Sequence, residues 1–254
     1  MKKPVVIIGI GEIGGVFARG LLRSGHPVLP VNRNDDIDQI ATQYPDPEAV
    51  LLTVAEKDLN AALEAVPEKW RDSICLVQNE LLPRDWQQHG IQKPTVISVW
   101  FEKKPGTDVK PVIASPVFGP RAELLCGALE ALAIPVDRID SMENLLFELV
   151  RKNLYILTTN IAGLVVGGNV AELWQNHRTL AIEVAEDVLA IQSYLTAKKL
   201  DNKALIAAML VAFDGDPEHG CTGRSAPARL QRALQLADEA DLEVKTLRRI
   251  QAEQ

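Results

Sequence analysis

The chain has 254 residues, enough for one large domain or two smaller ones with a sizeable core. A hydrophobic share of 47% and a charged share of 24% are those of a soluble globular protein, and a net charge of −7 excludes the basic footprint that a nucleic-acid partner requires. Cys75, Cys126 and Cys221 lie far apart with no C-x-x-C pair, which reads as reduced thiols in a cytoplasmic protein.

Lys2 and Lys3 precede an apolar run, but the run breaks at Gly9 with no small-residue cleavage site behind it, so no targeting segment is expected. The strand expected at residues 5–10 leads into a helix at 12–24. Further strands are expected at 28–32, 49–54, 74–78 and 96–100, with one more at 135–139. Helical patterns fill the spaces at 57–66 and 121–133. This alternation implies right-handed crossovers and a parallel sheet covered on both faces.

After residue 140 the texture changes. From Met142 onward only Pro217 and Pro227 interrupt helical patterns at 145–166, 179–200, 202–213 and 228–237. In the second of these, Ile182, Ala185, Val188, Leu189, Ile191 and Leu195 fall on one broad face. The apolar stretch at 161–166 is far shorter than the ~20 residues of a membrane helix, so no membrane partner is expected. The reading is an α/β Rossmann domain over residues 1–140 followed by an all-α domain over 141–254. The later apolar helices can bury themselves against their own domain or against a twin subunit, which leaves a homodimer open.

The stretch "VVIIGIGEIGGVFARG" carries Gly9-x-Gly11-x-x-Gly14 between a strand and a helix. Gly9 permits the tight turn, Gly11 lets backbone approach a pyrophosphate, and Gly14 lets helix and strand pack closely. The helix N-terminus then offers free N–H donors to the phosphates. Ile10, Glu12 and Ile13 within the turn join the expected cofactor contacts, as do Thr53 and Val54 at the end of the third strand. Glu12 is a like charge there and is expected to point to solvent. Where NAD-binding chains place an acid at the end of the second strand, this one reads Asn32-Arg33. Asn32 removes the repulsion of a 2′-phosphate and Arg33 can grip one, which favours NADP(H). Asp35 and Asp36 follow closely enough for either to reach the ribose instead.

The segment "ELVRKNLYILTTNIAGL" is apolar apart from a stripe holding Lys152 and Asn160, roughly 12 Å apart along one helix face, with Thr159 beside them. A lysine beside a cleft can lower its pKa and protonate a carbonyl oxygen. Alternatively its head snorkels to water beside Arg151. The stretch "FDGDPEHGCTGR" is dense in acids with His219 and Cys221, but its spacing matches no closed zinc pattern, so it reads as an inter-helix loop and no metal site is expected.

Four features together resemble the ketopantoate reductase family: "GIGEIG", "VNR" at the end of the second strand, "LVQNELL" around Asn79, and "RKNLYILTTN" opening the helical domain. The resemblance implies an NADPH-dependent reduction of a 2-oxo acid or related carbonyl compound, with substrate in a cleft between the domains. It places Asn79 by the nicotinamide, Lys152 as proton donor to the keto oxygen, and Asn160 as a substrate contact. Several family positions differ. The middle asparagine of the helix is Ile156, the glycine after Gln78-Asn79 is Glu80, the Ser-Ser pair is Ala207-Ala208, and the Thr-Glu pair is Ala226-Pro227. Loss of these polar partners implies a substrate less hydroxylated than ketopantoate. Two other readings stand beside it: a non-catalytic NADP(H)-binding homologue serving as sensor or assembly subunit, and a β-hydroxyacid dehydrogenase-like enzyme.

Overall fold

The computed structural model describes residues 2–254, which form two compact units, one ending at Glu148 and the other running Leu149–Gln254. Composition changes near residue 140, at the entry to a long helix, whereas compaction changes within that helix.

In the first unit the order is β1 (Val5–Ile8), α1 (Glu12–Arg23), β2 (Val28–Val31), α2 (Ile37–Gln43), β3 (Ala49–Leu52), α3 (Leu59–Ala65), β4 (Ile74–Leu76), α4 (Pro83–Gln87) and β5 (Thr95–Ile97). A small hairpin, β6 (Phe101–Glu102) and β7 (Lys110–Pro111), precedes β8 (Ser115–Phe118), α5 (Ala122–Glu130) and β9 (Val136–Arg138). Seven strands pair in the order β2-β1-β3-β4-β5-β8-β9, and only the β5–β8 pairing is antiparallel. The β-rich runs Val5–Ile8 and Ala49–Leu52 form central strands because both neighbours and both faces bury them. Phe17 and Leu21 of α1 and Leu125 and Leu129 of α5 pack with Val5 and Ile7 in one core.

Strand β8 is a finding that sequence pattern does not suggest, since Pro116 argues against an interior strand. The structure accommodates it because the Pro116 carbonyl still accepts from Ser98 N–H at 3.0 Å. The expected strands end earlier than their apolar runs, because each run continues into the loop that follows the sheet edge. The expected helix at 57–66 is a 3₁₀ turn followed by α3.

In the second unit, α6 (Met142–Val166, entered from the first unit) leads to α7 (Val170–Asn176), α8 (Arg178–Thr196), α9 (Asn202–Gly215), α10 (Ala226–Glu239) and α11 (Lys245–Ala252). Residues 153–163 of α6 are buried all round, so this is a central helix rather than an amphipathic surface one. Asn153 is 1% exposed and donates to Gln192 Oε1 of α8 at 3.0 Å, a buried amide pair joining the two helices. The face expected on α8 is present, with Ala185, Val188, Leu189 and Ile191 buried and Ile182 and Leu195 half-buried at its edges. Helix α8 stops at Ala197, which adopts φ +50°. Helix α7 starts from a capping box of Asn169 and Glu172, a local signal visible in the sequence but short enough to pass for a loop. The 213–224 stretch is the connection between α9 and α10, as its turn formers imply. Among the described residues no helix is long and apolar enough to cross a membrane.

The buried amide pair yields a stability prediction. Asn153→Ala leaves the Gln192 carbonyl without this donor and lowers unfolding free energy by about 1–3 kcal/mol. A double-mutant cycle with Gln192→Ala, followed by urea unfolding, returns a coupling of about 0.5–3 kcal/mol.

Candidate functional site

The glycine turn of the first unit lies at the carboxyl ends of β1 and β3, the place where the strand order 2-1-3 reverses and open α/β sheets bind ligands. Gly9 has φ +93°, a conformation L side chains rarely adopt, and its N–H donates to the Val31 carbonyl at 3.0 Å. Thr53, the first residue after β3, donates its hydroxyl to the Gly9 carbonyl at 2.5 Å and its N–H to the Ile8 carbonyl at 2.9 Å. A side chain on Gly14 would sit 2.5 Å from the Gly9 oxygen and 2.6 Å from Thr53 Oγ1, so helix, turn and third strand meet there without room for a methyl group. Gly11 is the N-cap of α1, makes no side-chain cap, and faces space that a Cβ would not fill. The first-turn N–H groups of α1, which have no carbonyl partner within the helix, therefore face a backbone-walled approach. These features fit a pyrophosphate.

Ile10 is 42% exposed beside this turn, Ile13 is half-buried, and Val54 closes over Gly9 with its Cγ1. Glu12 does not stand alone, as its carboxylate pairs with Lys103 Nζ at 2.7 Å, which cancels the like charge at the helix start. The pair lines a hollow of ≈ 380 Å³ together with Ile10, Gly11 and Arg19. At the end of β2, Asn32 and Arg33 are exposed. The Asp35 carboxylate accepts from Asn32 N–H at 2.6 Å, and Asp36 caps α2 by accepting from Gln39 N–H at 3.0 Å. Asp35 and Asp36 thus both hold local backbone. Arg33 is tethered only at 3.9 Å to Asp58, with 89% of its side chain exposed.

Gln78 is 7% exposed and structural: its amide donates to the Leu52 carbonyl at 2.7 Å and accepts from Val77 N–H at 3.1 Å, lashing β4 to the end of β3. Asn79 follows, half-buried, and Glu80 has φ +58°. That left-handed backbone is what a glycine would adopt freely, which gives a physical reason for a glycine at this position in the resembling sequences.

In the second unit Lys152, Ile156 and Asn160 share a face of α6, and two of them are nearly enclosed: Ile156 is 7% exposed and Asn160 8%. Lys152 keeps a little surface, while its ammonium lies 5.7 Å from the centroid of the Tyr155 ring. Burial, then the positive charges of Arg229 and Arg151, push the Lys152 pKa down to about 7. Sequence pattern alone leaves proton donation and snorkelling level; a lysine so enclosed is not one whose head escapes to water. Arg151 instead donates Nε–H to the Ala208 carbonyl at 2.9 Å, tying α6 to α9.

Arg229 is the residue that sequence reasoning missed. It lies on α10 and donates to Asn160 Oδ1 at 2.7 Å, while Asn160 Nδ2 sits 3.4 Å from Thr159 Oγ1. No local signal marks Arg229, since its role arises only when α10 packs beside α6. Ala226, at the start of α10, is 1% exposed and offers only a methyl group. In the loop before α10, Asp216 is 3% exposed and lies 3.6 Å from His219 Nδ1, and no cluster of three or more metal-ligating side chains occurs among the described residues. Burial drives the Cys75 thiol up to about 12 and the Cys221 thiol to about 11, so neither is a thiolate near neutral pH.

No protein-family model and no curated protein matches the chain at sequence level. Solved structures do match it in three dimensions. A PanE/ApbA family ketopantoate reductase from Ralstonia eutropha JMP134 is 17% identical, with 99% of this chain and 96% of that one covered, at a TM-score of 0.69. A dimeric ketopantoate reductase from Staphylococcus aureus is 16% identical over 97% of this chain and 96% of that one, with a TM-score of 0.67. D-mandelate dehydrogenase with NADH and anilino(oxo)acetate is 14% identical over 98% and 96%, with a TM-score of 0.66. The chain therefore has the fold of the ketopantoate reductases.

The depressed Lys152 pKa has a consequence for stability whatever the protein does. A lysine titrating near 7 when folded and near 10.5 when unfolded penalises folding fully below pH 7. Stability rises with pH through that window, because the unfolded chain then binds the extra proton. Lys152→Met is expected to stabilise the protein at pH 6, with the advantage shrinking towards pH 10, as urea unfolding at several pH values measures.

Proposed function

We propose that the protein is an NADPH-dependent reductase of 2-oxo acids, related to ketopantoate reductases but with a different substrate pocket. The observation that carries this reading is the placement of Lys152 on a central helix, on the same face as the buried Asn160 and with its ammonium 5.7 Å from the Tyr155 ring centroid, where burial and nearby cations push its pKa down towards neutrality and suit it to give and regain a proton. A buried amide, Asn160, and a guanidinium, Arg229, stand beside it as substrate contacts. The first unit supports the cofactor half of the reading. The first turn of α1 would hold the pyrophosphate, Thr53 and Val54 would shape the turn against it, and Asn79 would lie towards the nicotinamide end. Arg33 would grip the 2′-phosphate, with Asn32 beside it offering no competing charge.

When bound, NADPH supplies the hydride that reduces the carbonyl carbon. Lys152 delivers a proton to the carbonyl oxygen, and Asn160 holds that oxygen in line. Ile156 and Ala226 leave an apolar surround where a hydroxylated substrate would need hydrogen bonds. A substrate with an apolar 2-substituent suits these residues better than ketopantoate. The dimeric Staphylococcus aureus neighbour and the exposed Tyr194 and Val211 of the second unit lead us to include a homodimer in the proposal.

Two outcomes test this. Purified protein should oxidise NADPH with at least one member of a 2-oxo acid panel that includes ketopantoate, and Lys152→Ala should lower kcat by about 10²–10⁴-fold. Full activity in Lys152→Ala would overturn the proton-donor role, and NADPH binding without turnover on any carbonyl compound would favour the non-catalytic reading. Separately, Arg33→Ala should weaken NADPH by about 10-fold or more while leaving NADH little changed, measured as the ratio of their dissociation constants.

A further inference from the structure

Lys103 reaches the glycine turn from 91 positions away in sequence. It is the first residue after β6, and the Phe101 ring holds this hairpin against α1, with its centroid 6.4 Å from that of Phe17. Phe101 is 6% exposed, so the root of the hairpin belongs to the core of the first unit. Lys103 Nζ donates to Glu12 Oε2 at 2.7 Å and to the Lys104 carbonyl at 2.7 Å. An ammonium has three N–H donors, so one is left for a ligand. The same side chain lines the hollow of ≈ 380 Å³ beside the turn, where Gly11 and Gly15 put bare backbone along the wall.

The charge balance at this helix start makes the third donor matter. A pyrophosphate diester carries two negative charges, whereas a helix N-terminus offers only about half a positive one. Glu12 subtracts one more from within the first turn. Without Lys103 the turn would repel the anion that its backbone is shaped to hold. Arg19 also lines the hollow, but it lies two turns further along α1, roughly 12 Å from Gly11 along the axis. Lys103 is the cation in contact with the first turn.

We propose that Lys103 is a cofactor-binding residue of this site, donating its third N–H to the pyrophosphate while its bond to Glu12 keeps that carboxylate from repelling the anion. The inference rests on the dinucleotide reading of the glycine turn. The hairpin of β6 and β7 then has a role of its own, since it carries a phosphate contact that α1 cannot supply.

Dissociation constants of the full-length protein for NADPH, read from nicotinamide fluorescence, test this. Lys103→Gln should weaken NADPH by about 10-fold or more, because it removes a charged hydrogen bond and leaves Glu12 unpaired beside the phosphates. Glu12→Gln should bind as tightly as wild type or up to about fivefold tighter. The double variant separates contact from neutralisation, and should remain at least about threefold weaker than Glu12→Gln alone. Lys103→Arg keeps the cation and should hold affinity within about threefold of wild type. Adenosine 2′-phosphate, which lacks the pyrophosphate, is the control competitor; equal binding by wild type and Lys103→Gln also shows that the variant is folded. Equal NADPH affinity in the double variant and Glu12→Gln would mean that Lys103 only silences the acid, and would overturn the contact. Unchanged NADPH affinity in Lys103→Gln, or an equal loss for adenosine 2′-phosphate, would overturn it too. If wild type binds neither NADPH nor NADH, the dinucleotide reading itself fails and the proposal goes with it.

Discussion

The hydrogen bond from Thr53 to the Gly9 carbonyl is the constraint on which the first unit's candidate site depends. A glycine turn is by nature loose, because the conformational freedom that lets it form also lets it wander. Here the turn is bolted to the end of β3 by a side chain, while Gly14 brings α1 so close that a single added carbon would strike both partners. The direction of the first-turn N–H groups is thereby set before any ligand arrives. Gln78 repeats the device one strand further along, holding the end of β4 to β3. The result is a pre-formed edge of strand ends rather than a set of independent loops.

Charge around this edge is arranged consistently with an anionic ligand. Glu12, the one acid in the glycine turn, is neutralised by Lys103, and the two acids after β2 are held by backbone. Exposed Arg33 is then the group at the end of β2 with both the charge and the reach for a phosphate.

How much of this was legible depended on sequence distance. The Gly9-Gly11-Gly14 spacing, the strand before it and the helix after it are contiguous, and local geometry dictates them. The clamp is not contiguous, since Thr53 lies 44 positions from Gly9. Arg229 is further still, 69 positions from Asn160, on a helix whose own pattern shows only that it is amphipathic. Lys152 fell between these cases: a lysine in an apolar helix is visible in sequence, but its enclosure needs the packing around α6. Pro116 hid β8 and the polarity of α11 hid that helix, because in both a tertiary partner decides what local propensity argues against.

The second unit shows the same dependence on packing. Burial, then the positive charges of Arg229 and Arg151, push the Lys152 pKa down to about 7, so the charge state of this lysine is set by what packs around α6 and not by its neighbours in sequence. Arg229 reaches that helix through its bond to Asn160, 69 positions away. A like charge acts only as long as it is uncompensated, so an anion brought close to these cations would raise the Lys152 pKa and favour the protonated lysine.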